Sequence, residues 1–262
     1  MNLALSSHHI EQQQLEQLLR GTHANPEIIQ CKKNTQSTND DVIQLAQQGY
    51  QSALVISETQ SQGRGQSQRE WLSPPSGNIY LSTLLTLQRP VDGRFSLECG
   101  LNILHCPTLQ KIPNLKLKWA NDLYSNAGKW GGILVEPIDS HHVVVGVGIN
   151  LLQPENIAHI TQPVSNLEAL GLYDYTRPQL ISEIYLSLIE AVQWFNFDCQ
   201  NLAQRFNRIA AFKDQWITIE RQQQSALVGY FRGIQNDGAL LIQQPNEILA
   251  MVCYDGRIVI PT

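Results

Sequence analysis

Residues 143–150 read Val-Val-Val-Gly-Val-Gly-Ile-Asn, and no other stretch restricts the fold as tightly. In an extended strand, where side chains alternate, Val143, Val145, Val147 and Ile149 share one face, and Val144, Gly146, Gly148 and Asn150 share the other. The first face is uniformly apolar. The second carries a shallow trough. Glycine weakens a strand, so two on one face call for a close approach, by a ligand or by another backbone. Asn150 at the end of the trough favours a ligand.

The surrounding pattern predicts an α+β chain. A short amphipathic helix carries Ile10, Leu15, Leu18 and Leu19 behind Ser7, ahead of Gly21. Strands are expected at 28–33, 53–57, 79–87, 115–119, 133–136 and 143–149, the last two joined by a turn at Asp139-Ser140. Ser37, with Asp40 three residues on, is a candidate N-cap for a helix carrying Val42, Ile43, Leu45 and Ala46. A helix is expected at 95–109. Leu180, Ile181, Ile184, Tyr185, Leu188, Ile189 and Val192 mark another from 178 to about 197, followed by one more to about 211. Short apolar runs then fall at 216–219, 226–234, 239–242, 248–252 and 258–260, separated by turn signals such as Asn236-Asp237-Gly238 and Asp255-Gly256. Five such runs predict a small barrel. The expected division is therefore 1–212 and 213–262.

Composition excludes several function classes. Eighteen Lys and Arg against 23 Asp and Glu give a formal charge of −5, so no general basic field would hold nucleic acid. No apolar run approaches the ~20 residues needed to span a bilayer, and the N-terminal segment lacks the basic start and apolar stretch of a secretory signal. A cytoplasmic protein with no membrane partner is the expectation. The five cysteines are scattered, and the His8-His9 and His141-His142 pairs are adjacent, which points their side chains apart. No metal site is expected from protein ligands.

Three segments can carry chemistry. The polar stretch 59–77 has two glycines around Arg64, with Arg69 close behind. A mobile loop is expected there, either a solvated connection or a lid whose unhindered amides and arginines take an anion. In the strand at 115–119, Leu115, Leu117 and Trp119 face one way and Lys116 and Lys118 the other. Lys118 then belongs either to a solvated edge or to a site where anions meet, with Asn121 and Asp122 on the adjoining turn. The glycine trough is the third.

Taken in order, SerThrAsn at 37–39, GRGQSQREW at 63–71, SPPSGNIYLS at 73–82, KWANDLY at 118–124, KWGGILVE at 129–136 and GVGINL at 146–151 resemble the biotin protein ligase family. GIQNDGALLI at 233–242 resembles the corresponding stretch of that family's C-terminal barrel, so the likeness runs from about residue 28 to the end. It implies a class II aminoacyl-tRNA synthetase-like catalytic domain, a mixed sheet with flanking helices, followed by an SH3-like barrel. It also implies two half-reactions. Biotin and MgATP give biotinyl-adenylate and pyrophosphate, and the adenylate then acylates a lysine of a biotin carboxyl carrier protein of acetyl-CoA carboxylase.

The resemblance assigns residues as well. Lys118 would bind the biotin carboxylate and the charge developing at phosphorus, with Arg64 and the amides around Gly63, Gly65 and Gln66 holding the carboxylate from the loop. Ser37, Thr38, Asn39 and Gln60 match positions that hydrogen-bond the ureido ring, and Gly146 and Gly148 would lie against its apolar part. Arg69, Trp71, Asn121, Lys129 and Asn150 fall near the nucleotide. Asp122 is a candidate base for the transfer step. Family members commonly carry Gly-Arg-Gly-Arg-x-Gly-Arg-x-Trp in the loop, where this chain has Gln66 and Gln68. Glutamine bonds without neutralising charge, so a looser hold on the adenylate is expected. Lipoate ligation or octanoyl transfer shares the fold and the lysine. A biotin-responsive repressor carries a winged helix-turn-helix before the SerThrAsn segment, for which the 36 residues ahead of Ser37 give no support. Monomer and homodimer stay equally open.

Overall fold

A computed structural model describes residues 6–75, 77–152, 162–221, 224–245, 251–253 and 256–259. Its helices are α1 (Ser7–Leu19), α2 (Thr38–Gln47), α3 (Gly93–Leu104), α4 (Arg177–Asn196) and α5 (Leu202–Ile209). Its strands are β1 (Ile28–Thr35), β2 (Ala53–Gln60), β3 (Ile79–Thr86), β4 (Lys116–Lys118), β5 (Asp122–Ser125), β6 (Gly128–Pro137) and β7 (His142–Ile149), then β8 (Trp216–Glu220), β9 (Leu227–Ile234), β10 (Leu240–Gln243), β11 (Met251–Cys253) and β12 (Arg257–Val259).

The first seven strands form one mixed sheet in the order β1-β2-β3-β7-β6-β5-β4, with only β1 and β2 parallel. The last five form an antiparallel sheet in the order β11-β10-β9-β8-β12. Residues 248–250 and 260, expected in strands, lie outside the described residues.

The alternation of β7 decides what covers each face. Val143, Val145, Val147 and Ile149 join the large core with α1, α3 and α4, while Val144 joins a small cluster with Val42 and Leu45 of α2. At roughly 1.5–3 kcal/mol for each large aliphatic side chain buried, most apolar stabilisation sits on the first face. α2 covers the second face over Val144 and, through Asn39, over Gly146, and leaves the part at Gly148 to other segments.

Three local expectations change. The predicted helix at 95–109 ends at Leu104 and is followed by a short 3-10 turn at Leu109–Lys111. The strand at 115–119 shortens to Lys116–Lys118. Asp122, expected on a turn, opens β5, a strand too short to show a period in the sequence.

The small sheet is fastened to the large one. Ala211 N donates to Leu117 O at 2.7 Å, Trp119 Nε1 donates to Gly238 O at 2.9 Å, and the buried Glu98 of α3 pairs with Arg205 of α5. Residues of β12 are thereby carried to the edge of the glycine-bearing face.

Candidate active site

Register sets one row of residues across five strands of that face. Tyr80 lies opposite Gly148, Gly148 opposite Gly132, Gly132 opposite Asp122, and Asp122 opposite Lys118. The next row runs Ser82, Gly146, Leu134, and the one after it Leu84, Val144, Glu136. The glycines of the trough meet side chains rather than backbone. A Cβ on Gly148 would stand 2.5 Å from Trp71 Cε2, and one on Gly132 3.1 Å from Trp71 Cζ3. A Cβ on Gly146 would run into the Asn39 carboxamide.

The SerThrAsn segment enters α2 from above this trough, and Ser37, Thr38 and Asn39 are all buried. Gln60 Oε1 accepts from Thr38 N at 2.8 Å and from Thr38 Oγ1 at 3.1 Å, and its Nε2 donates to Ser73 Oγ at 2.9 Å. Ser82 Oγ donates to Asn39 Oδ1 at 2.5 Å, and Asn39 Nδ2 donates to Glu136 Oε2 at 2.5 Å. Polar groups this buried are held by bonds to one another, so their positions are fixed in advance of any ligand.

The stretch expected as a mobile loop folds back on itself as a narrow ribbon. Trp71 N donates to Gly63 O at 2.9 Å, Gly65 N donates to Arg69 O at 2.7 Å, and a 3-10 turn at Gln66–Gln68 forms the tip. Gly63 is buried below the Trp71 carbonyl, where a side chain has no room.

Arg64 departs from its expected part. Its Nε and Nη2 donate to the two carboxylate oxygens of Glu136 at 3.0 and 2.9 Å, Nη2 also donates to Asp40 at 2.7 Å, and Nη1 donates to Ser37 Oγ at 3.2 Å. The bonds to Asp40 and then Glu136 push its pKa further up, so it is a fixed cation. Arg64 and Gly65 therefore line the cavity with partners of their own, Arg64 on Glu136, Asp40 and Ser37 and Gly65 N on Arg69 O.

The carboxylate of Asp122 lies between two ammonium groups. Lys129 Nζ is 2.5 Å from Oδ1 and Lys118 Nζ is 3.6 Å from Oδ2. Lys118 is only 5 % exposed, which overturns the solvated-edge alternative even though β4 is the edge strand. Burial is the main cause lowering its pKa; Asp122 opposes the shift, and the charges of Lys129 and Arg257 add to it. Lys129 reaches the same face because the β5–β6 register slips, with Leu123 opposite Gly131 but Tyr124 opposite Lys129. Its ammonium stands 5.0 Å from the centre of the Trp71 ring.

These parts surround a cavity of about 560 Å³, lined by every residue to which the resemblance assigns a role except Gly63. Asn121 and Asn150 line it while bracing neighbouring backbone, through Nδ2 bonds to Ile133 O at 2.7 Å and Ser165 O at 3.2 Å. Arg69 is exposed, its Nε bonded to Gln66 O at 3.1 Å. Among the described residues, Arg64, Arg69, Lys118, Lys129 and Arg257 face the cavity against the two carboxylates Glu70 and Asp122. A chain with a formal charge of −5 therefore concentrates cations here, which suits an anionic ligand. No group of three or more His, Cys, Asp or Glu among the described residues can hold a metal.

Sequence reasoning missed Asp40 and Glu136 as the anchors of Arg64, Gly132 and Tyr80 beside the trough, and Arg257. Alternation from Gly132 through Leu134 does place Glu136 on the site face. Alternation about Ile258 turns Arg257 off the core of the small sheet, but no local pattern shows that it meets this cavity.

Residues 28–150 match the model of the biotin/lipoate A/B protein ligase family. The biotin--[acetyl-CoA-carboxylase] ligase of Paracoccus denitrificans is 30% identical over 235 residues, covering 80% of this chain and 92% of that protein. The Mycobacterium tuberculosis enzyme of the same name is 29% identical over 243 residues, covering 89% and 90%. Among solved structures, biotin protein ligase from Aquifex aeolicus in complex with biotin and ATP superposes with a TM-score of 0.72 over 89% of this chain and 98% of that one, at 22% identity.

Proposed function

Because the chain belongs to the biotin/lipoate A/B protein ligase family, we propose that it adenylates biotin with MgATP and transfers the biotinyl group to a lysine of a biotin carboxyl carrier protein. The observation that carries this reading is the Lys118–Asp122–Lys129 cluster at the end of a glycine-cleared trough, inside a cavity rich in cations. We take the larger sheet as class II aminoacyl-tRNA synthetase-like and residues 213–262 as an SH3-like barrel.

In the first step a biotin carboxylate oxygen attacks the α-phosphorus and pyrophosphate leaves. The carboxylate is already ionised near neutral pH, so no base is required. What is required is positive charge where two anions meet, and Lys118 and Lys129 supply it, held apart and oriented by Asp122. The polar network of Ser37, Thr38, Asn39 and Gln60 suits the ureido end of the ligand. Gly146 and Gly148 let Asn39 and Trp71 close against the sheet, and the space beside them suits the ligand's apolar part, with Trp71 as a wall on the nucleotide side together with Arg69, Asn121 and Asn150. Magnesium enters as part of the nucleotide. It would need few protein ligands beyond substrate phosphates, and among the described residues Glu70 and Asp122 are the cavity carboxylates that could reach it.

In the second step the acceptor amine attacks the acyl carbon and AMP leaves. The amine must first lose a proton, and Asp122 is the candidate to take it. Biotin-dependent exchange of pyrophosphate into ATP tests the first step. Exchange with biotin and not with lipoate or octanoate is expected; exchange only with the fatty or lipoyl acid would replace biotin ligation with that chemistry.

A further inference from the structure

Among the described residues, the small sheet delivers one charged side chain into the cavity, that of Arg257. Gly256 sits at φ +118°, with Ile219 and Glu220 where a side chain would lie, so the chain turns tightly into β12. Ile258 is fully buried opposite Ile219 in the core of the small sheet, and alternation sends Arg257 to the opposite side. Glu220 is its direct partner in the ladder, yet among the described residues no ion pair joins them. Among the described residues the guanidinium Nε, itself buried, has no hydrogen-bond partner. Instead Arg257 lines the cavity with Lys118 and Asp122, and its charge is felt at Lys118.

A buried guanidinium nitrogen with no partner among the described residues, near the buried Lys118 ammonium, is unfavourable until an anion joins it. Gln66 lines the same cavity from the ribbon tip, without charge. We propose that Arg257 is a substrate-binding residue that takes the phosphate oxygens of the bound nucleotide, so that the small sheet supplies a cation to the site where the loop offers Gln66. This rests on the adenylating reading above, which provides the triphosphate.

The test measures KM for MgATP and for biotin in pyrophosphate exchange, and binding of MgATP and of pyrophosphate by calorimetry with biotin present, in the full chain. Loss of a charge-assisted bond to phosphate predicts an MgATP KM about ten- to a hundredfold higher in Arg257→Gln, with biotin KM and thermal midpoint unchanged. Arg257→Lys should recover part of the loss, and Gln66→Arg in the Arg257→Gln background should recover more. An MgATP KM within about twofold of wild type would overturn the proposal. So would equal losses for biotin and nucleotide that Arg257→Lys does not mend, which would make Arg257 structural. Calorimetry separates the two readings. If the wild type binds MgATP through Arg257 but shows no exchange, adenylation of biotin falls and the phosphate site stands.

Discussion

Arg64 and Glu136 meet edge to edge, two guanidinium nitrogens on two carboxylate oxygens at 3.0 and 2.9 Å, and the pair ties the ribbon at 63–71 to strand β6 of the glycine-bearing face. Glu136 also receives Asn39 Nδ2, so one carboxylate joins the ribbon to the segment proposed for the ureido ring.

Glu136→Gln should therefore loosen the ribbon. A charge-assisted bond contributes about 1.5–3 kcal/mol, and the pair is partly screened at 19% and 27% exposure, so the lower end applies. Faster tryptic cleavage at Arg64 or Arg69 and a higher biotin KM are expected, with little change in the thermal midpoint. Unchanged cleavage would leave the ribbon anchored by Asp40 alone.

Gly148→Ala places a methyl 2.5 Å from the Trp71 indole, which sits on the ribbon and not in the main core. The indole should be displaced, lowering activity by about tenfold or more while the fold survives. In a Trp71→Ala background the same change should be nearly harmless. Equal losses in both backgrounds would mean that the glycine serves the ligand directly.

Lys118 loses its proton at a lower pH than an ordinary lysine, because burial disfavours the ammonium. A lowered pKa means that the charged form disappears earlier as pH rises. The alkaline limb of biotin-dependent exchange should thus begin below the ordinary lysine range, and Lys118→Arg should move it upward in whatever activity remains. A limb unmoved by that change would assign it to another group.

Asp122→Asn removes the charge that keeps Lys118 and Lys129 compatible. Adenylation should fall by about a hundredfold, as expected when one partner of a largely buried cluster is lost. Transfer from preformed biotinyl-adenylate answers a separate question, since a wild-type rate in Asp122→Ala would exclude Asp122 as the base.

Much of this site was legible in the sequence, for physical reasons that differ from residue to residue. Period-two alternation in β7 exposed the trough, because its two faces differ in size at every second position. The same alternation left Lys118 ambiguous. Its place in the site depends on β5, which sets Asp122 opposite it and is only four residues long. The pairing of Arg64 depended on Asp40 and Glu136, 24 and 72 residues away, and no local pattern reports such pairs. Lys129 reached Asp122 through a register slip that strict alternation would have denied.

The central claim is settled most directly by the mass of a product. The chain is incubated with biotin, MgATP and an apo biotin carboxyl carrier domain, and the carrier is weighed by mass spectrometry. A single biotinyl increment on the carrier, absent when ATP is withheld and strongly reduced by Lys118→Gln or Lys129→Gln, is the predicted result. A carrier of unchanged mass beside an active control ligase would contradict it.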